Sequence, residues 1–192
     1  MSGNTRNALE RLTIAAAVSW LAILALTAPV DAAGPSFRCA KAGSPPAGAS
    51  LHFLRSSVLC LVNRARELHG LRSLQYNVDL RDSATGHSND MVQNRYFSHF
   101  GSGGSSPGGR VARTGYLASA GAYIIGEDIG GGVGRRFGSP LAVFQAWMHS
   151  PPHRANILEP KFDDDGVGVA RGFPLIGHPN AATYTLDLGM RR

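Results

Sequence analysis

A chain of 192 residues, 43% apolar and 17% charged, has room for one ordinary domain with a sizeable core. Its formal charge of +6 favours anionic surfaces. The arginines are scattered rather than clustered among stacking aromatics, so no nucleic-acid partner is expected, and the surfaces left outside a cell are wall polymers and lipid headgroups.

Residues 1–32 read as a signal peptide. Arg6 and Arg11 precede an apolar run from Ile14 to Leu26, and Val30-Asp31-Ala32 offers small residues for cleavage after Ala32. An uncleaved anchor over Leu12–Ala28 is the alternative, and no membrane span is expected after cleavage. Loss of Arg6, Arg11, Glu10 and Asp31 would leave the mature chain at +6. A Pro/Gly/Ser-rich arm occupies residues 33–52, and the domain proper spans 53–192. Cys39 and Cys60 are expected to form a disulfide in an oxidising compartment, worth about 3 kcal/mol, which argues against a thiol nucleophile.

From Leu51 the pattern is helical, with Leu54, Val58, Leu61, Val62, Ala65 and Leu68 on one face and Gly70 closing it. A second helix is predicted from about Val78 to Gln93, capped by Asn77 or Asp79, with Leu80, Ala84, His87, Ser88 and Met91 inward. His87 reads as a packed, hydrogen-bonded helix histidine rather than a ligand. His99 falls at the exit into a glycine-rich loop, and Ser106-Pro107 caps a short helix that ends at Gly115.

Ala122–Ile129 reads as a strand with Glu127 and Asp128 in its interior, and a buried carboxylate there demands a partner. The run Gly130–Gly134 fails as a phosphate loop, since the Gly-Lys-Ser/Thr ending and the dinucleotide spacing are both absent. Ser139-Pro140 opens a helix bearing Trp147, and Pro151-Pro152 reads as its stop, with Ser150 and Pro151 extended and His153 just past the break. Asp163-Asp164-Asp165 reads as a solvated turn in preference to a calcium-attracting loop. Gly166–Ala170 and Thr183–Leu188 complete the chain as an antiparallel pair, giving an α+β domain of helices on a small antiparallel sheet.

His99, Glu127 and His153 carry the chemical potential. Two imidazoles and a carboxylate can hold zinc or another divalent cation with a position open for water, or act as acid, base and orienter without metal. The motifs LCLVNRARELHGLRSL, HSNDM, YFSH, SPGGRVARTGY, GEDI, AWMHSPPHRANIL and GVGVA, in that order, resemble the CAP superfamily (cysteine-rich secretory protein, antigen 5, pathogenesis-related; SCP-like) in its compact bacterial form. The resemblance covers roughly residues 53–189 and implies a three-layer αβα sandwich with a cleft lined by two histidines and acidic residues, which in some members binds a divalent ion. It puts the two cleft histidines on His99 and His153 and the cleft glutamate on Glu127. Ser150 falls where a second glutamate is usual, beside His149, and Asp128 where asparagine is usual.

Three functions follow from that resemblance. The first is a secreted or wall-associated module binding a lipid, glycan or peptide, with or without metal. The second is a metal-dependent hydrolase of peptide or cell-wall material, with Glu127 as ligand or general base. The third is a non-catalytic structural cleft.

Overall fold

The computed structural model describes residues 39–174 and 176–192, so the signal-peptide reading of residues 1–32 and the first part of the arm lie outside the described residues. Cys39 and Cys60 are joined as expected. The bond ties the arm to helix α1 (Leu51–Leu68), which Ser50 caps through its hydroxyl. The predicted inner face of α1 is buried except at its end. Leu68 lies outside, and Arg66, which is not part of that apolar face, is buried. Its guanidinium donates to the carbonyls of Arg72, Ile157, Glu159 and Phe162, so a buried charge is satisfied by fixing the turn that follows the His153 segment.

A two-residue strand β1 (Gln75–Tyr76) leads to α2 (Val78–Gln93), capped by the Asn77 side chain, and then to α3 (Pro107–Thr114), capped by Ser106. Strand β2 (Tyr123–Val133) runs four residues past the predicted end, straight through the glycines. The short α4 (Gly134–Gly138) and α5 (Pro140–His149) follow. Pro151 and Pro152 do not break the chain into an extended segment. They occupy the first turn of a new helix, α6 (Pro151–Ile157), where a missing N–H costs nothing, and only Ser150 is extended. Strands β3 (Asp164–Arg171) and β4 (Ala181–Arg191) close the chain.

The sheet order is β1-β3-β4-β2, antiparallel except for the short parallel pair β1–β3. Its two faces differ in chemistry. Val167, Val169, Tyr184, Leu186 and Leu188 pack with α1 and α5 in the main core, which also holds Phe144 and Trp147. On the other face Thr183, Thr185 and Asp187 lie buried, and the Thr185 hydroxyl bonds Ser88 of α2. There Gly166 and Gly168 let α2 lie directly on β3: a Cβ at Gly168 would come within 2.1 Å of the Ala84 backbone. Helices on both faces of the sheet give the αβα sandwich expected.

The Asp163–Asp165 run is not a solvated turn. Asp163 pairs with Arg72 and Arg192, Asp164 accepts from the Tyr116 hydroxyl, and Asp165 is buried, its carboxyl pushed up to about 7 by desolvation. The run anchors the start of β3 and has no calcium-loop form.

Candidate functional site

β2 is an edge strand, and the predicted residues lie on it or on segments held against it, His99 through Glu127 and His153 through α6. Side chains alternate across it. Glu127 stands opposite Asp187 of β4 and so faces α2 and α3, while Asp128 stands opposite Leu186 and faces α6. Two outward carbonyls of the edge are covered by side chains: Trp147 Nε1 donates to Ile129 O at 2.8 Å, and Asn156 Nδ2 to Glu127 O at 3.3 Å. The tryptophan helix and the His153 helix are thereby docked against the edge.

Glu127 is buried and doubly bound. His99 Nδ1 lies 2.8 Å from Oε1, and Arg110 Nη2 lies 2.5 Å from Oε2. Burial alone would raise its pKa, yet the His99 hydrogen bond and the Arg110 charge hold the carboxyl below its ordinary range. With the carboxylate ionised, His99 Nδ1 carries the proton and donates. That hydrogen bond raises the His99 pKa against the opposing effect of burial. Asp187 is fully buried beside Glu127, and desolvation, then the Glu127 charge, pushes its carboxyl well above the usual range.

Beside His99, the buried glutamate finds a charged partner in Arg110, which no sequence motif marks as a site residue. The sequence offers only a local hint, an arginine beside Val111 on the buried side of a short capped helix; that this helix lies over Glu127 is set by long-range packing. Arg110 also donates to the carbonyls of His99 and Ser105, holding the loop that presents His99. From below, Asp90 accepts from Ser102 N, Ser102 Oγ and Asn94 Nδ2, and from the Tyr96 hydroxyl, bracing the same loop. His87 is the packed helix histidine expected, with Nε2 on Ser98 O at 2.9 Å, though it also lies 3.9 Å from Glu127.

His153 sits in the first turn of α6. Its Nδ1 is buried without a hydrogen-bond partner, and its pKa is lowered by desolvation, then by the charge of His99. No hydrogen bond or ion pair joins His153 to Glu127 among the described residues, and no group of three or more His, Cys, Asp or Glu there has the arrangement to hold a metal ion. Glu127 has both oxygens engaged. Donors toward an ion would therefore be the two imidazoles, with Glu127 behind His99 in the carboxylate–histidine pattern that orients a ligating ring. Asp128 is wholly buried, with Oδ1 on Asn156 Nδ2 at 2.9 Å and Oδ2 unpartnered, and desolvation pushes its carboxyl up to about 7.

Beside these groups a cavity of about 330 Å³ opens over the edge of β2, walled by Phe97, Ile129, Phe137, Val143, Trp147 and Phe173. His153 and Ser150 also line it. Ser150 stands at the N-cap position of α6 without a side-chain capping bond, and the His149 ring turns back to the Gln145 carbonyl.

A family model described as "CAP: Cysteine-rich secretory protein family" matches residues 59–176. The uncharacterized protein YkwD of Bacillus subtilis is 34% identical over 122 residues, covering 64% of this chain and 44% of that protein. The uncharacterized membrane protein YlbC of the same organism is 28% identical over 60% of this chain and 31% of its own length, so the chain spans less than half of the curated relatives it matches. Among solved structures, an extracellular protein containing an SCP domain from Bacillus anthracis is 26% identical with a TM-score of 0.57, over 73% of this chain and 43% of that one. An outer surface protein from Borrelia burgdorferi shares the fold at 19% identity and a TM-score of 0.59, over 71% of this chain and 92% of that one.

Proposed function

Because the chain belongs to the cysteine-rich secretory protein (CAP) family, we propose that it is an extracellular binding protein whose cleft takes a small ligand with an apolar part, seated against His153 at the edge of β2. The observation that carries this reading is the cavity itself: about 330 Å³, walled mainly by aromatic and aliphatic side chains, with an imidazole among them. A lipid, or a glycan or peptide with an apolar group, fits that lining. The His99–Glu127–Arg110 chain gives the adjoining surface a fixed polar edge.

A fluorescent apolar probe tests this. It should bind the wild type, and Ala146→Trp, at an exposed cavity-lining position, should weaken binding at least about tenfold by filling the space. Mass spectrometry of native protein should find a carried ligand that the variant lacks. Equal probe binding by both proteins refutes the reading.

One observation favours a second reading, a divalent ion on His99 and His153: the Nδ1–H of His99 is already committed to a carboxylate, as in metal-bound imidazoles. Dialysis against trace zinc should then leave about one equivalent bound, lost in His99→Ala/His153→Ala. Retention should fall at acid pH, because the raised His99 pKa favours the imidazolium. A bound ion would supply Lewis-acid and water-activating chemistry for hydrolysis of peptide or wall material. Since both Glu127 oxygens are engaged, its part in that chemistry is to orient His99.

A further inference from the structure

Between Asp128 and Glu159 the chain contains no acidic residue, and none between Asp165 and Asp187 or between Asp90 and Glu127. Every wall of the apolar cavity comes from these acid-free segments. At the mouth sits α4, whose sequence Gly134-Arg135-Arg136-Phe137-Gly138 exposes three consecutive large side chains. Phe137 is 61% exposed although it also lines the cavity, and the Arg136 guanidinium lies 5.3 Å from its ring centroid. Neither Arg135 nor Arg136 forms an ion pair among the described residues, whereas Arg64, Arg72, Arg81, Arg110 and Arg192 all pair with carboxylates. Among the described residues no carboxylate neutralises these two charges, and the ring stays largely open to solvent beside the Arg136 guanidinium. Phe97, 39% exposed and packed on Phe173, also lines the cavity.

We propose that the α4 corner docks on an anionic phospholipid bilayer, with Arg135 and Arg136 against the phosphates and Phe137 among the first acyl carbons. Two unpaired cations beside an exposed aromatic ring match an interface where anionic headgroups border hydrocarbon, and the surrounding lack of carboxylates removes the repulsion an anionic surface would otherwise meet. A soluble anionic polymer would satisfy the arginines and leave the ring in water. Docking requires no ligand in the cavity, so it stands or falls apart from the binding function proposed above.

Vesicle co-sedimentation at about 0.1 M salt decides the matter. The purified protein should bind vesicles of one part phosphatidylglycerol to two parts phosphatidylcholine and not bind phosphatidylcholine alone. Arg135→Gln/Arg136→Gln should weaken binding by about thirtyfold, and Arg64→Gln/Arg81→Gln, with the same loss of charge on α1 and α2, by less than about threefold. Phe137→Ser should weaken it about tenfold, and circular dichroism should show all variants folded. Equal binding to both vesicle types, or equal losses in the two arginine pairs, overturns the proposal. So does undiminished binding by Phe137→Ser together with displacement by soluble polyphosphate, which would make the corner a polyanion site.

Discussion

Replacing Arg110 by Met tests whether the buried ion pair organises the site. The substitution keeps an unbranched side chain of similar reach but leaves Glu127, with a side-chain exposure of 1%, its charge supported only by His99 and the more distant His87. Breaking a buried pair from one side costs about 3–5 kcal/mol. For a domain of this size that lowers Tm by roughly 6–20 °C. The carbonyls of His99 and Ser105 lose their donor at the same time, so amide exchange should rise across the loop between α2 and α3. The sign with pH is fixed. Glu127 has a folded pKa below its unfolded one, so the stability it contributes is present above the ordinary carboxylate range and lost as pH falls through the folded value. Without Arg110 the folded pKa rises, and the penalty shrinks toward acid pH, where a protonated Glu127 needs no counter-ion. Denaturant titration of Arg110→Met, Glu127→Gln and the double variant should give a coupling of about 2 kcal/mol. A loss below about 1 kcal/mol for Arg110→Met, or additivity within about 0.5 kcal/mol, would refute the reasoning.

Asp128→Asn should stabilise the fold by about 1–3 kcal/mol above pH 7 and change nothing below pH 4, because a carboxyl whose folded pKa is raised loses its contribution as pH climbs through that value; thermal melts across pH check this. Gly168→Ala should cost roughly 3 kcal/mol or more, since the new Cβ meets the backbone of α2 and no side chain can yield; failure to express folded protein, or a far lower urea midpoint, is the expected result. Reduction of the Cys39–Cys60 bond, or its replacement by serines, should lower stability by about 3 kcal/mol without altering the His99 titration seen by NMR.

Helices α2, α3 and α5 were legible because caps and spacing agree, Asn77, Ser106 and Ser139 each accepting from the first turn they precede, and α1 was legible from its apolar face and the closing Gly70. β1 was not, since two residues carry no periodicity. α6 was missed because two prolines read equally as a stop and as a first turn, and the choice falls to tertiary contacts: Arg66 gripping the Ile157 carbonyl and Asn156 gripping β2. At the site, the demand that Glu127 have a partner followed from its place in a strand, and His99 meets it directly. The identity of Arg110 did not follow, because which helix lies over β2 is a long-range fact that no local pattern encodes. The same holds for Asp187, which lies buried only because β4 is central and α2 covers it.

The glycine run of β2 bears on how the protein tolerates change over generations. Gly130, Gly131 and Gly132 look like a flexible linker, yet a Cβ on them would meet Val143, the Ala182 carbonyl and Phe137 at 2.7, 2.6 and 2.7 Å. Every missense change at a glycine codon adds a Cβ. In a library of single-codon variants this stretch should therefore be depleted like a packed core, and the seating of Trp147 against the strand rests on Gly130, a residue that contributes no side chain to it.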